Sequence, residues 1–109
     1  MLVKCFGSAV HGVDAIMITV EVNVGEGMKY WMVGLPDNAV KESQLRIETA
    51  LKNSGFRIPR KKIVINMAPA DIRKEGTAYD LTIATGILAA SGQIPSEMLE
   101  KYVIMGGLP

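Results

Sequence analysis

Residues 64–92 read VINMAPADIRKEGTAYDLTIATGILAASG, two apolar segments joined by a charged loop. The first segment belongs to residues 63–68, which are apolar on both faces except at Asn66 and therefore predict an interior strand. Residues 78–91 are apolar on almost every side, which predicts the most buried helix of the domain. Thr77 and Asp80 have the spacing of a capping box, so Thr77 is expected to cap this helix.

Three strands are predicted before this stretch. Residues 15–24 alternate between apolar and polar side chains, as in a strand with one buried face. Residues 2–10 predict the strand before it, and residues 28–35 predict a returning strand after the glycine-rich turn at 25–27. We therefore expect an N-terminal antiparallel meander.

The remaining segments complete an α+β domain. Residues 37–53 predict an amphipathic helix, and Gly55 stands where a left-handed C-cap belongs. Residues 102–105 predict a last strand. A chain of 109 residues is long enough for one core, so we expect a single domain over residues 1–109. The ending Gly-Gly-Leu-Pro suggests that this domain is a piece of a larger protein.

Positive charge is concentrated in the middle of the chain. The whole chain has a net charge of +1, but residues 41–74 carry +6. Residues 57–62, which we call the connector, hold four basic side chains. Lysine and arginine can neutralise phosphates without reading base sequence. The candidate nucleic-acid-binding residues are Arg57, Arg60, Lys61, Lys62, Arg73 and Lys74; a merely solvated surface is the alternative.

Motifs for catalysis and for metal binding are missing from the sequence. It contains no GxxxxGK[ST] phosphate loop and no GxGxxG motif. With one cysteine, Cys5, the chain cannot form an internal disulfide, and with one histidine, His11, beside that cysteine it is not expected to hold a structural zinc ion. We therefore predict no catalytic residue, no metal site and no cofactor in this chain. Without a signal peptide or a membrane-length apolar run, it is expected to be cytoplasmic.

Four runs of residues carry a family resemblance: GLPDNAVKES at 34–43, LKNSGFRIPRKKIVINMAPADIRKEGTAYDL at 51–81, ILAASGQIP at 87–95 and MGGLP at 105–109. They resemble the N-terminal domain of the magnesium-chelatase-like AAA+ ATPases of the ComM/YifB type. The resemblance implies a two-layer α/β sandwich like the Lon protease domain and the second domain of a small-subunit ribosomal protein. It also implies a bacterial parent, a hexameric ring that uses ATP and Mg²⁺ for branch migration or helicase action on DNA in transformation or recombination.

The Lon resemblance places a catalytic motif on one loop of this chain. The corresponding residues are Lys74, Glu75, Gly76, Thr77, Ala78 and Asp80. The position of the Lon nucleophile falls on Ala78, which has no hydroxyl group, so the domain is expected to be non-catalytic and to contribute DNA contact and ring assembly. Two alternatives remain: a Lon-like serine peptidase that uses Thr77, and a pure oligomerisation module.

Overall fold

The computed structural model describes residues 1–11, 14–33, 37–68, 79–97, 99 and 103–104. The strands and helices predicted above are present in the predicted order. Their bounds are β1 Leu2–His11, β2 Asp14–Gly25, β3 Tyr30–Val33, α1 Asp37–Asn53, β4 Lys62–Ala68, α2 Asp80–Ala90 and β5 Val103–Ile104.

The five strands form one mixed sheet in the order β3-β4-β2-β1-β5. β1 and β2 pair as an antiparallel hairpin, and β4 pairs antiparallel with the other edge of β2. β5 runs parallel to β1 at one edge of the sheet, and β3 runs parallel to β4 at the other. β4 is therefore an interior strand, as its two apolar faces predicted.

The predicted place of the third strand in the sheet is wrong. β3 does not return beside β2; instead, β4 lies between them. β4 pairs with β2 over seven positions, from Thr19 to Gly25, whereas β3 has only four residues to offer. The longer pairing satisfies more backbone groups and buries more side chains, and α1 provides the crossover that makes β3 and β4 parallel.

Both helices pack on one face of the sheet and give the predicted two-layer sandwich. On that face lie the side chains at alternate positions of β2, from Ile18 to Val24, and all four are buried. α2 lies over β1 and β2, and nine of its eleven residues are buried. The prediction that α2 is the most buried helix is confirmed.

The other face of the sheet, which we call the open face, carries the more exposed side chains. Strand alternation and register assign these residues to it: Leu2, Lys4, Phe6, Ser8, Met17, Thr19, Glu21, Asn23, Trp31, Val33, Lys62, Val64, Asn66 and Ala68. Its charged side chains include Lys4, which lies opposite Glu21.

Gly86 allows α2 to approach the sheet closely. A β-carbon on Gly86 would lie 2.7 Å from Cγ2 of Val22 and 3.2 Å from Sγ of Cys5. Real β-carbons do not approach another carbon to 2.7 Å, so only glycine fits at this position without a shift of the helix or the strand.

Cys5 lies under α2 as a buried thiol, 0% exposed. Its Sγ is 3.5 Å from the carbonyl oxygen of Thr82 and 3.6 Å from that of Val20. Burial raises the pKa of the thiol from its ordinary value of 9.0 to about 11, because the thiolate would lose its hydration. The folded domain therefore holds Cys5 as an unreactive thiol.

We expect the Cys5 thiol to be protected from Ellman's reagent at about pH 8 until the domain unfolds. Because its pKa is higher in the folded state, the thiol contributes stability that is fully present below pH 9.0 and is lost as the pH rises through about 11. Comparing the wild type with Cys5→Ala by urea unfolding across this range isolates the contribution from those of lysine and tyrosine. A labelling rate that does not change with urea would contradict the buried placement.

Candidate nucleic-acid interface

The connector follows α1, and a glycine sets its direction. Gly55 has a φ of +82°. Its amide donates to the carbonyl of Lys52 at 3.2 Å, and the amide of Phe56 donates to that of Leu51 at 2.9 Å. These are the two hydrogen bonds of a Schellman motif. The predicted left-handed C-cap at Gly55 is confirmed.

A glutamine just beyond α2 fixes the backbone of the connector. The side-chain amide of Gln93 donates to the carbonyl of Arg57 at 2.9 Å, and its oxygen accepts from the amide of Arg57 at 3.3 Å. The next residue, Ile58, is partly buried against the core. The Arg57 side chain stays exposed, so the connector presents its charge from a backbone that is held in place.

The connector, the ends of both helices and the N-terminus surround an open groove of about 1000 Å³, which we call the connector groove. Of the described residues that line it, the charged ones are four basic and one acidic: Lys52, Arg57, Arg60, Lys61 and Glu48. Met1 also lines the groove, and its terminal amino group donates to the carbonyl of Val24 at 2.5 Å. Among the described residues, the groove thus brings together three of the six predicted nucleic-acid-binding side chains.

The helix ends neutralise only part of this charge. α1 ends beside Lys52, and Ala90 and Ser91 at the end of α2 line the same groove. The C-terminus of a helix carries a partial charge of about −0.5, so two of them offset about one cation. Four cations set against Glu48 and two helix ends leave a positive groove. Neutralising the two helix C-termini is therefore not enough to explain the basic side chains of the connector.

The structure describes one further predicted binding residue, Lys62, which lies outside the groove. Lys62 is the first residue of β4 and lies on the open face, where a β-carbon on Gly27 would lie 3.3 Å from the Cβ of Lys62. Strand alternation separates it from Lys61. Arg73 and Lys74 lie outside the described residues.

Most of the Lon-like motif loop, Lys74 to Ala78, also lies outside the described residues. The helix that follows begins at Asp80, with Tyr79 in the N-cap position and no side-chain capping bond. The expected start at Ala78 is therefore wrong, and Thr77, the expected cap, lies outside the described residues. The Asp80 carboxylate binds two side chains of α1.

Asp80 forms a buried cluster with two residues of α1 that sequence reasoning missed. Arg46 donates from Nε to Oδ2 at 2.5 Å and from Nη2 to Oδ1 at 3.3 Å, and Ser43 donates from Oγ to Oδ1 at 3.1 Å. Asp80 is 2% exposed and the Arg46 side chain is 28% exposed. The hydrogen bond that Arg46 donates to the Asp80 carboxylate raises the pKa of Arg46. This cluster joins the two helices and leaves the carboxylate no face turned to solvent.

Tyr30 adds a buried phenol on the same side of the sheet. Its hydroxyl is buried and has no hydrogen-bond partner among the described residues. Burial, followed by the negative charges of Asp80 and Glu48, raises its pKa. Tyr30 therefore remains a neutral phenol and supplies no base.

The described part of the chain contains neither a metal-binding cluster nor a membrane-spanning helix. No three histidine, cysteine, aspartate or glutamate side chains come together there in a way that could hold a metal ion. No helix of the described residues is long and apolar enough to cross a membrane.

Comparison with known proteins places the chain in a family. The model of the family described as subunit ChlI of Mg-chelatase matches residues 20–109. The chain is 50% identical to the Escherichia coli (strain K12) protein YifB over 101 residues, which are 92% of this chain and 20% of YifB. It is 43% identical to the competence protein ComM of Haemophilus influenzae over 104 residues, which are 94% of this chain and 20% of ComM.

A more distant relative extends the match. The chain is 33% identical to the Mycobacterium bovis protein Mb2921c over 106 residues, which are 96% of this chain and 21% of that protein. The chain spans about a fifth of the length of the relatives that it matches. The agreement of the family model with relatives of 43–50% identity shows that the chain belongs to the magnesium-chelatase-like family of the ComM/YifB type.

Proposed function

We propose that this chain is the non-catalytic N-terminal domain of a bacterial, cytoplasmic AAA+ ATPase, and that it supplies a DNA-contacting surface for ATP-driven DNA processing. The relative named competence protein ComM supports a role in the uptake or recombination of DNA. ATP, Mg²⁺ and a hexameric ring belong to the parent in this proposal, and no residue of the chain is assigned to the nucleotide.

The observation that carries this proposal is the charge of the connector groove. Lys52, Arg57, Arg60 and Lys61 line a groove whose backbone Gln93 fixes. Contacts to phosphates release condensed counterions, so affinity falls with added salt. Four contacts predict a loss of roughly 50- to 150-fold in affinity between about 50 and 200 mM salt.

A charge reversal at Lys61 tests the groove. We expect Lys61→Glu to weaken DNA binding roughly tenfold at about 50 mM salt, because a phosphate contact becomes a repulsion. The salt dependence of binding should also become less steep. Fluorescence anisotropy with a labelled oligonucleotide of about 30 residues measures both effects.

Lys41→Glu is the matched control. Lys41 is exposed in the first half of α1 and is absent from the groove lining, and its reversal changes the net charge by the same amount. Equal weakening by both variants would mean that only net charge matters and would remove the groove from the proposal. Absence of any salt-sensitive binding would remove DNA contact altogether.

A peptidase function is less well supported by this chain. The position of the Lon nucleophile carries Ala78, and a threonine one residue earlier needs a base to activate its hydroxyl. A function in ring assembly alone predicts a chain that associates with itself and does not bind DNA. Sedimentation with and without DNA separates that alternative from the proposal.

A further inference from the structure

The open face carries an exposed indole at the edge of the sheet. Trp31 on β3 is 49% exposed, and it is the only tryptophan of the chain. In register beside it lies Val64 of β4, followed by Asn23 of β2. Large exposed aromatic side chains on a flat sheet are well suited to stack against another planar ring.

Two lysines flank this indole. The Nζ of Lys29 lies 5.0 Å from the centroid of the Trp31 ring. Lys62 is the neighbour of Lys29 across the strand pair, because Tyr30 is in register with Ile63 and the amide of Ile63 donates to the carbonyl of Lys29 at 2.7 Å. The exposed ring is therefore bordered by positive charge.

Positive charge continues from the connector groove to Trp31. Lys29 shares a second cleft, of about 170 Å³, with Arg60 and Lys61, and these two residues also line the connector groove. The cations follow one another from the groove through Arg60 and Lys61 to Lys29. A phosphate backbone bound in the groove can thus reach the open face beside Trp31.

We infer that Trp31 stacks against an unpaired base, so that the nucleic acid bound by this domain is single-stranded where it leaves the connector groove. The inference rests on the proposed DNA contact and specifies its substrate class. In a duplex, each base face is covered by its neighbours, and the phosphates alone are offered to a flat protein surface. Only an unpaired base can turn its face to the indole.

Lys29 has a defined part in this arrangement. Its ammonium group lies over the Trp31 ring in a cation–π contact. The Lys29 side chain is exposed and long enough to move away from the ring. A stacking base takes the place of the ammonium group, which then pairs with the adjacent phosphate. Asn23 and Asn66 on the same face are exposed amides within the sheet that can bond to base edges.

Charge distinguishes this occupant from a second copy of the chain. Lys4 and Glu21 lie opposite each other on the open face and offset one another, whereas Lys29 and Lys62 beside Trp31 have no carboxylate opposite them in the strand register. Two copies packed through this indole would bring like charges together. A polyanion with planar rings matches both the charge and the aromatic side chain.

The single tryptophan makes the test direct. We expect oligo(dT) of about 20 nucleotides to quench the intrinsic fluorescence of the wild-type chain, and a duplex of the same length to leave it nearly unchanged. Trp31→Ala should weaken binding of oligo(dT) roughly 5- to 150-fold, with duplex affinity within about twofold of the wild type. Trp31→Phe should retain most of the single-strand affinity.

Val33→Ala is the matched control, because Val33 is 55% exposed on the same strand and the same face but cannot stack. Binding of oligo(dT) without quenching, with full affinity in Trp31→Ala and lower affinity in Lys61→Glu, would overturn the stacking role and leave the proposed function standing. Absence of binding to either nucleic acid would overturn both. Self-association that Trp31→Ala and Val33→Ala both abolish would assign the open face to a second copy and overturn the inference.

Discussion

Replacing Arg46 with leucine is expected to lower the free energy of unfolding by about 3–5 kcal/mol, a large part of the stability of a small domain. Asp80 is 2% exposed, and without the guanidinium group its charge would keep, among the described residues, the hydrogen bond from Ser43. A buried charge without a counter-charge has lost its favourable hydration, and no electrostatic attraction offsets that loss. Urea unfolding followed by far-UV circular dichroism measures the loss.

The two partners should differ when each is removed. Asp80→Asn leaves Arg46, whose side chain is 28% exposed and can turn toward water, so this variant should lose less than Arg46→Leu. The double variant Arg46→Leu/Asp80→Leu should recover stability relative to Arg46→Leu, since apolar side chains can replace a buried ion pair. Lys41→Leu on the exposed side of α1 is the control, with an expected change within about 0.5 kcal/mol. An Arg46→Leu variant as stable as this control would show that Asp80 is hydrated in solution.

Local patterns predicted the elements but not which strands become neighbours. The alternation from Ile18 to Val24 and the apolar composition of α2 depend on nearby residues, and both were interpreted correctly. The turn at residues 25–27 also exists, with Gly27 at a φ of +116°. A turn signal does not say whether the following strand returns beside the preceding one. That outcome depended on β4, which is distant in sequence and pairs with β2 over more residues.

The basic composition of the candidate site could be predicted from the sequence, but the placement of its side chains could not. Four basic residues in the connector suggested phosphate contact, but the sequence did not indicate that Lys61 would line the groove and Lys62 the open face. β4 begins at Lys62, so strand alternation sets the direction of the Lys62 side chain, whereas Lys61 still belongs to the preceding loop. The sequence did not pair Arg46 with Asp80, because the two residues are 34 positions apart and Asp80 has the spacing of a capping box with Thr77. The signal for this ion pair in the sequence was Asp80 itself, an isolated acidic residue at the start of an apolar helix.

The second large effect is expected at Gly86. Gly86→Val should destabilise the domain by at least about 3 kcal/mol, although glycine is itself a poor helix former, with a penalty of about 1 kcal/mol relative to alanine. The first added carbon would already lie 2.7 Å from Cγ2 of Val22, and the branch requires more room. Val22 is 0% exposed and lies on β2 between two paired strands, so it cannot move aside without disturbing the sheet. Urea unfolding of the variant measures the effect.

The close contact with Val22 predicts that the effect of alanine at position 86 reverses its sign with the background. In the wild type, Gly86→Ala should destabilise the domain by about 1–3 kcal/mol, because overpacking outweighs the gain in helix propensity. In a Val22→Ala background, Cγ2 is gone and a cavity takes its place, so the same methyl group should fill the cavity and stabilise the domain. The four variants form a double-mutant cycle whose coupling energy measures the contact between α2 and β2. Additive effects of the two substitutions would mean that the helix stands farther from the sheet than 2.7 Å implies, since only a direct contact can make the same substitution harmful in one background and favourable in the other.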